Sequence, residues 1–510
     1  MFLYERNEKT MGNTFADAVK EDMKWGKTWN GADKLNTTSS ALLDFFALAG
    51  SMRKAAPIEK ITLFDEAYKE NPNYAMKLLF YTRDIRGGMA ERQTPKDILT
   101  HLGQVYPESV KKNFWAILEY GRADDLYAFI GTKVENDMWA FMKHQFEIDL
   151  ENMEKKKSIS LLAKWIATPD ASSPKTAALG KRTAKALGYS FKTMSVYKKK
   201  LRALRDYLDI NESKMAAGEW DKIEYSKCAS RFLFKFKNAI RRHDGERYNA
   251  YLESVEKGEA KMHMDTVTPV DIMHKVSMDY TDDLETMWKS LPDVNSGNAL
   301  VIADTSGSMC SVYRYNDEEK DDNVAPIEVA AALAIYLAER NKGDLKDLFM
   351  TFSDTPEFVK IKGATLYQKL DQIKHTNWGW STNLEAAFEL VLETAINGKV
   401  AAEDMPDALI VVSDMQINEC VDGLSDKRLT FYDIMRERYA EHGYAMPHVV
   451  FWNVNAINPT FLATKDDKGV SLVSGYSQNV YKNVIDNLGT TPYDLMMKVI
   501  ESERYAKVEA

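Results

Sequence analysis

The chain has 510 residues, a formal charge of −9, 45% hydrophobic and 28% charged residues, an ordinary make-up for a globular protein of two to four domains. No apolar run reaches the roughly 18–20 residues that cross a bilayer, and MFLYERNEKT lacks the basic start and apolar stretch of a secretory signal. Three widely spaced cysteines, Cys228, Cys310 and Cys420, form no metal-type pair and fit a reducing cytoplasm.

Charge is uneven along the chain. Residues 1–290 carry 47 Lys and Arg against 42 Asp and Glu, whereas residues 291–510 carry 20 against 34. A mildly basic unit followed by an acidic one points to two modules, 1–290 and 295–510, with different partners.

The first module reads as helix after helix. Apolar residues recur at helical spacing over 41–54, 58–70, 73–83, 111–120, 138–156, 160–166, 197–208 and 227–242. Asn71-Pro72, Gly87-Gly88, Pro107, Pro169, Pro174, Gly180 and Gly188 punctuate them. Period-two segments are nearly absent, so the expectation is an all-helical, HEAT-like stack, although no repeat period is evident.

The pattern changes at the turn-rich stretch 291–297. The apolar run 299–303 suits a buried strand. Helix 326–340, strand 348–352, edge strand 358–361, helices 365–373 and 383–396, strand 408–413, helix 430–441, strands 448–453 and 470–473 and helix 492–503 follow. This alternation predicts a mostly parallel, Rossmann-like sheet with helices on both faces, and hence an α + α/β chain overall.

Asp304-Thr305-Ser306-Gly307-Ser308 begins where the first buried strand ends, and ligand sites in open α/β sheets lie at strand carboxyl ends. Asp304 offers charge, Ser306 and Ser308 offer neutral oxygens, and Gly307 permits a tight turn. Thr382 opens a later helix, with Ser381 competing for its place, and Asp414 ends the strand 408–413. Oxygen donors of this kind suit a hard cation that retains several waters.

The constellation resembles the metal-ion-dependent adhesion site of the von Willebrand factor A family: an Asp-x-Ser-x-Ser loop, a Thr in a second loop and an Asp in a third. The resemblance maps onto Asp304, Ser306, Ser308, Thr382 and Asp414. It implies Mg²⁺ or Mn²⁺, with one position open to a protein partner's carboxylate or another oxygen. Ser413-Asp414-Met415 departs from the Thr-Asp-Gly of many members, which leaves the shape of the third loop open. An aspartyl phosphoryl-transfer reading would need a second Asp where Ser306 stands. No P-loop, G-x-S-x-G elbow or H-E-x-x-H pair occurs.

From Ala171 to Arg205 there is no acidic residue. Lys175, Lys181, Arg182, Lys185, Lys192, Lys198, Lys199, Lys200, Arg202 and Arg205 are interleaved with Tyr189, Phe191 and Tyr197. A second cluster holds Arg231, Lys235, Lys237, Arg241, Arg242 and Arg247. Charge runs are usually solvated faces, and Phe191 and Tyr197 are expected in the core. Such segments nonetheless offer phosphate contacts and, through aromatics, base stacking on single-stranded RNA.

Residues 30–32, the string Leu79-Phe80-Tyr81-Thr82-Arg83-Asp84-Ile85-Arg86-Gly87-Gly88-Met89-Ala90-Glu91-Arg92, Leu162-Ala163-Lys164-Trp165 and Arg242-His243-Asp244 resemble the helical module of an uncharacterised family of plants and large DNA viruses or phages. In that family the module precedes the same A-like domain. The architecture is similar to the Ro autoantigen (TROVE) family, whose helical ring holds small noncoding or misfolded RNA. The resemblance implies a non-catalytic, cytoplasmic RNA-binding protein with a Mg²⁺-binding A domain. The alternative is a metal-dependent interaction scaffold without RNA. A metal-dependent hydrolase ranks last, since the site lacks a general base. Asp84 is expected to pair with an arginine and Gly87-Gly88 to end a helix, with Arg83, Arg86 and Arg92 as further phosphate candidates.

Overall fold

A computed structural model describes residues 23–28, 30–294, 297–310, 324–352, 355–376, 382–418, 430–456 and 459–510. Ser381, Cys420 and the acidic stretch 317–322, which follows the Asp-x-Ser-x-Ser segment in sequence, lie outside these residues.

The N-terminal half is helical from Ala41 to Lys289, apart from short connectors. Several helices begin at a proline that punctuates the sequence. Pro72, Pro107, Pro174 and Pro269 each occupy a first helical position, where the missing N–H costs nothing. Pro174–Ala186, capped by Ser173, is one such helix that periodicity alone does not reveal. Sequence periodicity reads one helix over 111–120, but Asn113 divides it into Pro107–Lys112 and Phe114–Tyr120. The Asn113 amide bonds the Ser109 carbonyl at 2.7 Å and also the carbonyl of Glu509.

This half is not all helix. Strands β1 (Trp25–Lys27) and β2 (Asp33–Leu35) form an antiparallel hairpin. They carry too few residues for a period-two signal, and the partners of Gly31 and Leu35 lie 387 and 426 residues away. Isolated bridges join Gly31 to Asn418 and Leu35 to Phe461.

The C-terminal half holds β3 (Ala299–Asp304), β4 (Leu348–Phe352), β5 (Glu357–Lys360), β6 (Ala408–Ser413), β7 (His448–Asn453) and β8 (Val470–Ser474). They form one six-stranded sheet in the order β5-β4-β3-β6-β7-β8. Only the edge pair β4–β5 is antiparallel. The α + α/β expectation is met.

Alternation along the strands separates two cores. Val301, Ala303, Ile410, Val412, Val450 and Trp452 share a core with most of the helical half. Leu300, Ile302, Leu409, Val411, Val449 and Phe451 pack with the Leu384–Gly398 and Phe431–Glu441 helices. The halves also exchange ends. The Ala41–Leu48 helix and the turn after it lie along β8, where a Cβ on Gly50 would sit 2.7 Å from the Ser474 carbonyl. In return, Arg504 and Tyr505 converge on the fully buried Asp84 carboxylate, the Tyr505 hydroxyl at 2.9 Å and the Arg504 guanidinium through both carboxylate oxygens. Gly88 is obligatory beside it, because a Cβ there would lie 1.9 Å from the Tyr81 carbonyl. Among the described residues no helix is long and apolar enough to cross a membrane.

At the amino end of β7, the His448 ring accepts from the Gly489 N–H at Nδ1 (2.9 Å), so Nε2 carries the proton and donates to Ser471 Oγ at 2.8 Å. Burial pushes this imidazole down to about 4. The unfolded chain takes up the proton nearer the ordinary value of about 6.5. His448 therefore contributes stability above that pH and loses it as pH falls toward 4. The expected loss is about 3 kcal/mol between pH 7 and 4, read by urea unfolding, and His448→Gln should flatten that slope; equal slopes would contradict the assignment. Removing one partner of a buried ion pair costs about 3 kcal/mol. Asp84→Ala should therefore cost that much, and Arg504→Ala should add little on top of it. Additive losses would show that the two side chains act independently.

Candidate functional site

Strands β3 and β6 are parallel neighbours in the register Ala303↔Val412. That pairing brings the carboxyl ends of both strands to one rim, with β4 and β7 leading away in opposite directions, the usual location of a ligand crevice. Asp304 ends β3 and Asp414 follows β6, and both are buried.

Asp304 is held from two sides. Its Oδ1 accepts from the Ser306 N–H at 2.9 Å and its Oδ2 from the Ser413 hydroxyl at 2.6 Å. Burial, and then the Asp414 charge, hold its carboxyl well above the usual carboxylate range. Asp414 is raised too, chiefly by burial. Its Oδ1 accepts from the Gln416 N–H at 3.1 Å. Its Oδ2 is buried without a hydrogen-bond partner, although the Ser308 hydroxyl lies close enough to favour its charge. The Ser306 and Ser308 hydroxyls are 3.2 Å apart.

Thr382 belongs to the same rim. Its carbonyl accepts from Asn418 N–H at 3.0 Å, and its own N–H donates to Asn418 Oδ1 at 3.3 Å. The N-terminal hairpin reaches this point: Asn30 Nδ2 donates to Thr382 Oγ1 at 3.3 Å and to the Gln416 carbonyl at 2.8 Å. Thr28 Oγ1 donates to the Ile417 carbonyl at 2.6 Å. The bonds that Ser413, Asn418 and Asn30 make to Asp304 and Thr382 escape sequence reasoning. Ser413 leaves one trace, a hydroxyl closing an otherwise apolar strand. Asn30 lies in a string that carries the family resemblance, but nothing local in it points to Thr382.

Met415 answers the question of the third loop. It takes φ +63, the left-handed conformation that glycine adopts freely. Its N–H donates to Ser413 Oγ at 3.0 Å, and its side chain is buried in the second core. The glycine-like turn therefore persists, with packing offsetting its strain.

The donor set fits a dication. Two buried carboxylates face each other, one oxygen is orphaned, and no Lys, Arg or His pairs with either among the described residues. Nor does any group of three or more His, Cys, Asp or Glu stand together as a metal cluster there. Two carboxylates with hydroxyls suit Mg²⁺ or Mn²⁺ retaining waters, rather than a fully protein-ligated soft metal.

The basic residues divide into internal and outward sets. Arg205 binds the Ala163 and Ile166 carbonyls, and Lys237 and Arg241 meet the buried Asp283. Arg231 pairs with Asp271, Arg182 with Glu135, Lys198 with Asp170, and Arg202 lies 3.8 Å from Asp206. Lys175, Lys181, Lys185, Lys192, Lys199, Lys235 and Arg242 are exposed and enter no ion pair among the described residues. Lys200 is also exposed and lies over the Tyr189 ring. Arg83 is buried against Asp125 and Arg92 reaches Asp124, so both serve the helical core's connections, while Arg86 is exposed. Tyr197 is in the core as expected, whereas Phe191, which opens a short turn between two helices, is 96% exposed.

Comparisons with known proteins follow the same division. The family described as a domain of unknown function (DUF2828) matches residues 28–123 and 122–303, and a second domain of unknown function (DUF7788) matches 298–508. An uncharacterised protein, L728, of Acanthamoeba polyphaga mimivirus is 29% identical over 522 residues, spanning 93% of this chain and 87% of its own length.

Asp414→Asn removes one of two like charges buried without a cation and supplies an amide that can donate to Asp304. In the presence of a chelator it should raise the unfolding midpoint by a few degrees, on the order of 1 kcal/mol. A lower midpoint in calorimetry would mean that no such repulsion exists.

Proposed function

We propose, from the premise that the chain belongs to the DUF2828 family, that it is a non-catalytic, cytoplasmic RNA-binding protein of Ro (TROVE)-like architecture with a Mg²⁺-binding von Willebrand factor A-like domain. The observation that carries the metal half of this reading is the pair of buried carboxylates at one sheet rim, without a counter-charge among the described residues. Asp304 and Asp414 would supply the charge, and Ser306, Ser308 and Thr382 would supply neutral oxygens, directly or through waters. An ion held there, Mg²⁺ or Mn²⁺, would supply Lewis acidity toward an incoming oxygen, such as a partner's carboxylate.

The RNA half is supported by the acid-free segment 171–205, where Lys175, Lys181, Lys185, Lys192 and Lys199 are exposed and enter no ion pair among the described residues. A cationic surface of that kind is matched by a phosphate backbone, and release of condensed counterions makes the association salt-dependent. Single-stranded or small noncoding RNA is the partner proposed. The alternative, a metal-dependent interaction scaffold without RNA, draws on the same orphaned Asp414 oxygen and the same rim.

A variant carrying Lys181→Glu, Lys185→Glu, Lys192→Glu and Lys199→Glu tests the RNA half by fluorescence anisotropy on a labelled single-stranded RNA. Affinity should fall at least tenfold, and the log–log salt slope should flatten by roughly three to four units. Unchanged affinity would remove the segment from the RNA surface. Asp304→Ala should abolish the Mg²⁺-induced rise in unfolding midpoint while leaving RNA affinity intact. Equal responses of wild type and variant to Mg²⁺ would overturn the metal assignment.

A further inference from the structure

Phe191 stands apart from every other aromatic described. It is 96% exposed, whereas the next most exposed ring, Tyr367, is at 49%. Burying a phenylalanine is worth about 1.5–3 kcal/mol, and the turn that carries it leaves that stabilisation unused. The turn is not a loose loop. Residues Phe191–Thr193 form a short 3₁₀ segment between the Pro174–Ala186 and Met194–Tyr207 helices. The Ser190 N–H donates to Thr193 Oγ1 at 2.8 Å, which closes the turn on itself. Behind it, Tyr189 packs on the buried Tyr197 at 5.2 Å between ring centroids. The ring is thus presented on a fixed base.

Its surroundings are cationic. Lys192 follows it directly, and Lys192, Ser195, Lys199 and Arg202 recur at intervals of three and four, so they share one outward stripe. Lys181 and Lys185 stand one turn apart on the preceding helix. Neither a buried core nor a plain solvated face calls for an aromatic ring raised among unpaired lysines. An unpaired nucleobase does, since every base offers a π-face and its phosphates need the cations. A membrane is the weaker match. Interfacial binding requires a broad apolar face, and around Phe191 the only other large exposed apolar side chain in the segment 171–205 is Val196 at 46%.

We infer that Phe191 is a stacking platform for an unpaired base, with Lys181, Lys185, Lys192 and Lys199 gripping the flanking phosphates, so that this surface selects single-stranded over duplex RNA. The inference rests on the RNA-binding reading above, and adds the residue that discriminates a single strand from a duplex.

The test compares wild type, Phe191→Ala and Phe191→Trp on a labelled single-stranded 20-mer, a duplex of the same length, and vesicles rich in phosphatidylserine. Phe191 touches no core, so the full-length variants keep their fold. Phe191→Ala should weaken single-strand binding roughly tenfold, Phe191→Trp should restore it, and duplex affinity and salt slope should stay unchanged. If Phe191→Ala binds the single strand as wild type does while the lysine variant fails, the platform is refuted and the RNA reading stands. If wild type binds neither RNA, both fall. Vesicle binding that depends on Phe191, without any effect on RNA, would overturn the inference in favour of a membrane surface.

Discussion

The in-register parallel pairing of β3 with β6 is the constraint on which the rest depends. It sets Asp304 and Asp414 near one another, out of water, with no basic side chain paired to either among the described residues. Buried charges are ordinarily paired or metal-bound. Here the neighbouring hydroxyls and N–H groups stabilise individual oxygens without cancelling the charge, and one Asp414 oxygen stays unmet. The left-handed Met415 belongs to the same logic. A strained turn is kept, against side-chain preference, because it aims the third loop at the rim.

The two halves do not simply follow one another. The N-terminal hairpin bonds the loops that carry Thr382 and Gln416, and the segment after it lines β8. The C-terminal segment inserts Arg504 and Tyr505 against Asp84 in the helical half. One apolar core runs from the helices onto a face of the sheet. Direct hydrogen bonds from Thr28 and Asn30 thus tie the rim loops to the N-terminal hairpin.

Much of this architecture was legible in the sequence. Five-residue apolar runs ending in Asp identified the central strands, and the D-x-S-x-S loop identified the rim. Asp84's need for an arginine was also readable, but not that the partner is Arg504, 420 residues later. The same limit hid Asn30, whose role exists only after the chain has folded back. Helix Pro174–Ala186 was obscured because Pro174 reads as a breaker and becomes a helix start only with Ser173 as its cap. Phe191 was misplaced because an aromatic residue near a helix start ordinarily turns inward. Its exposure is set by how the turn between two helices sits in the folded chain, which no local pattern encodes.

The most direct test of the central claim is anomalous diffraction from crystals of the full chain soaked in Mn²⁺, collected near the manganese edge. The account predicts a peak within coordination distance of both Asp304 and Asp414, on the side of the unpartnered Asp414 oxygen. A fully soaked crystal with no peak there, or with Asp304 and Asp414 bonded to each other through a shared proton, would contradict it.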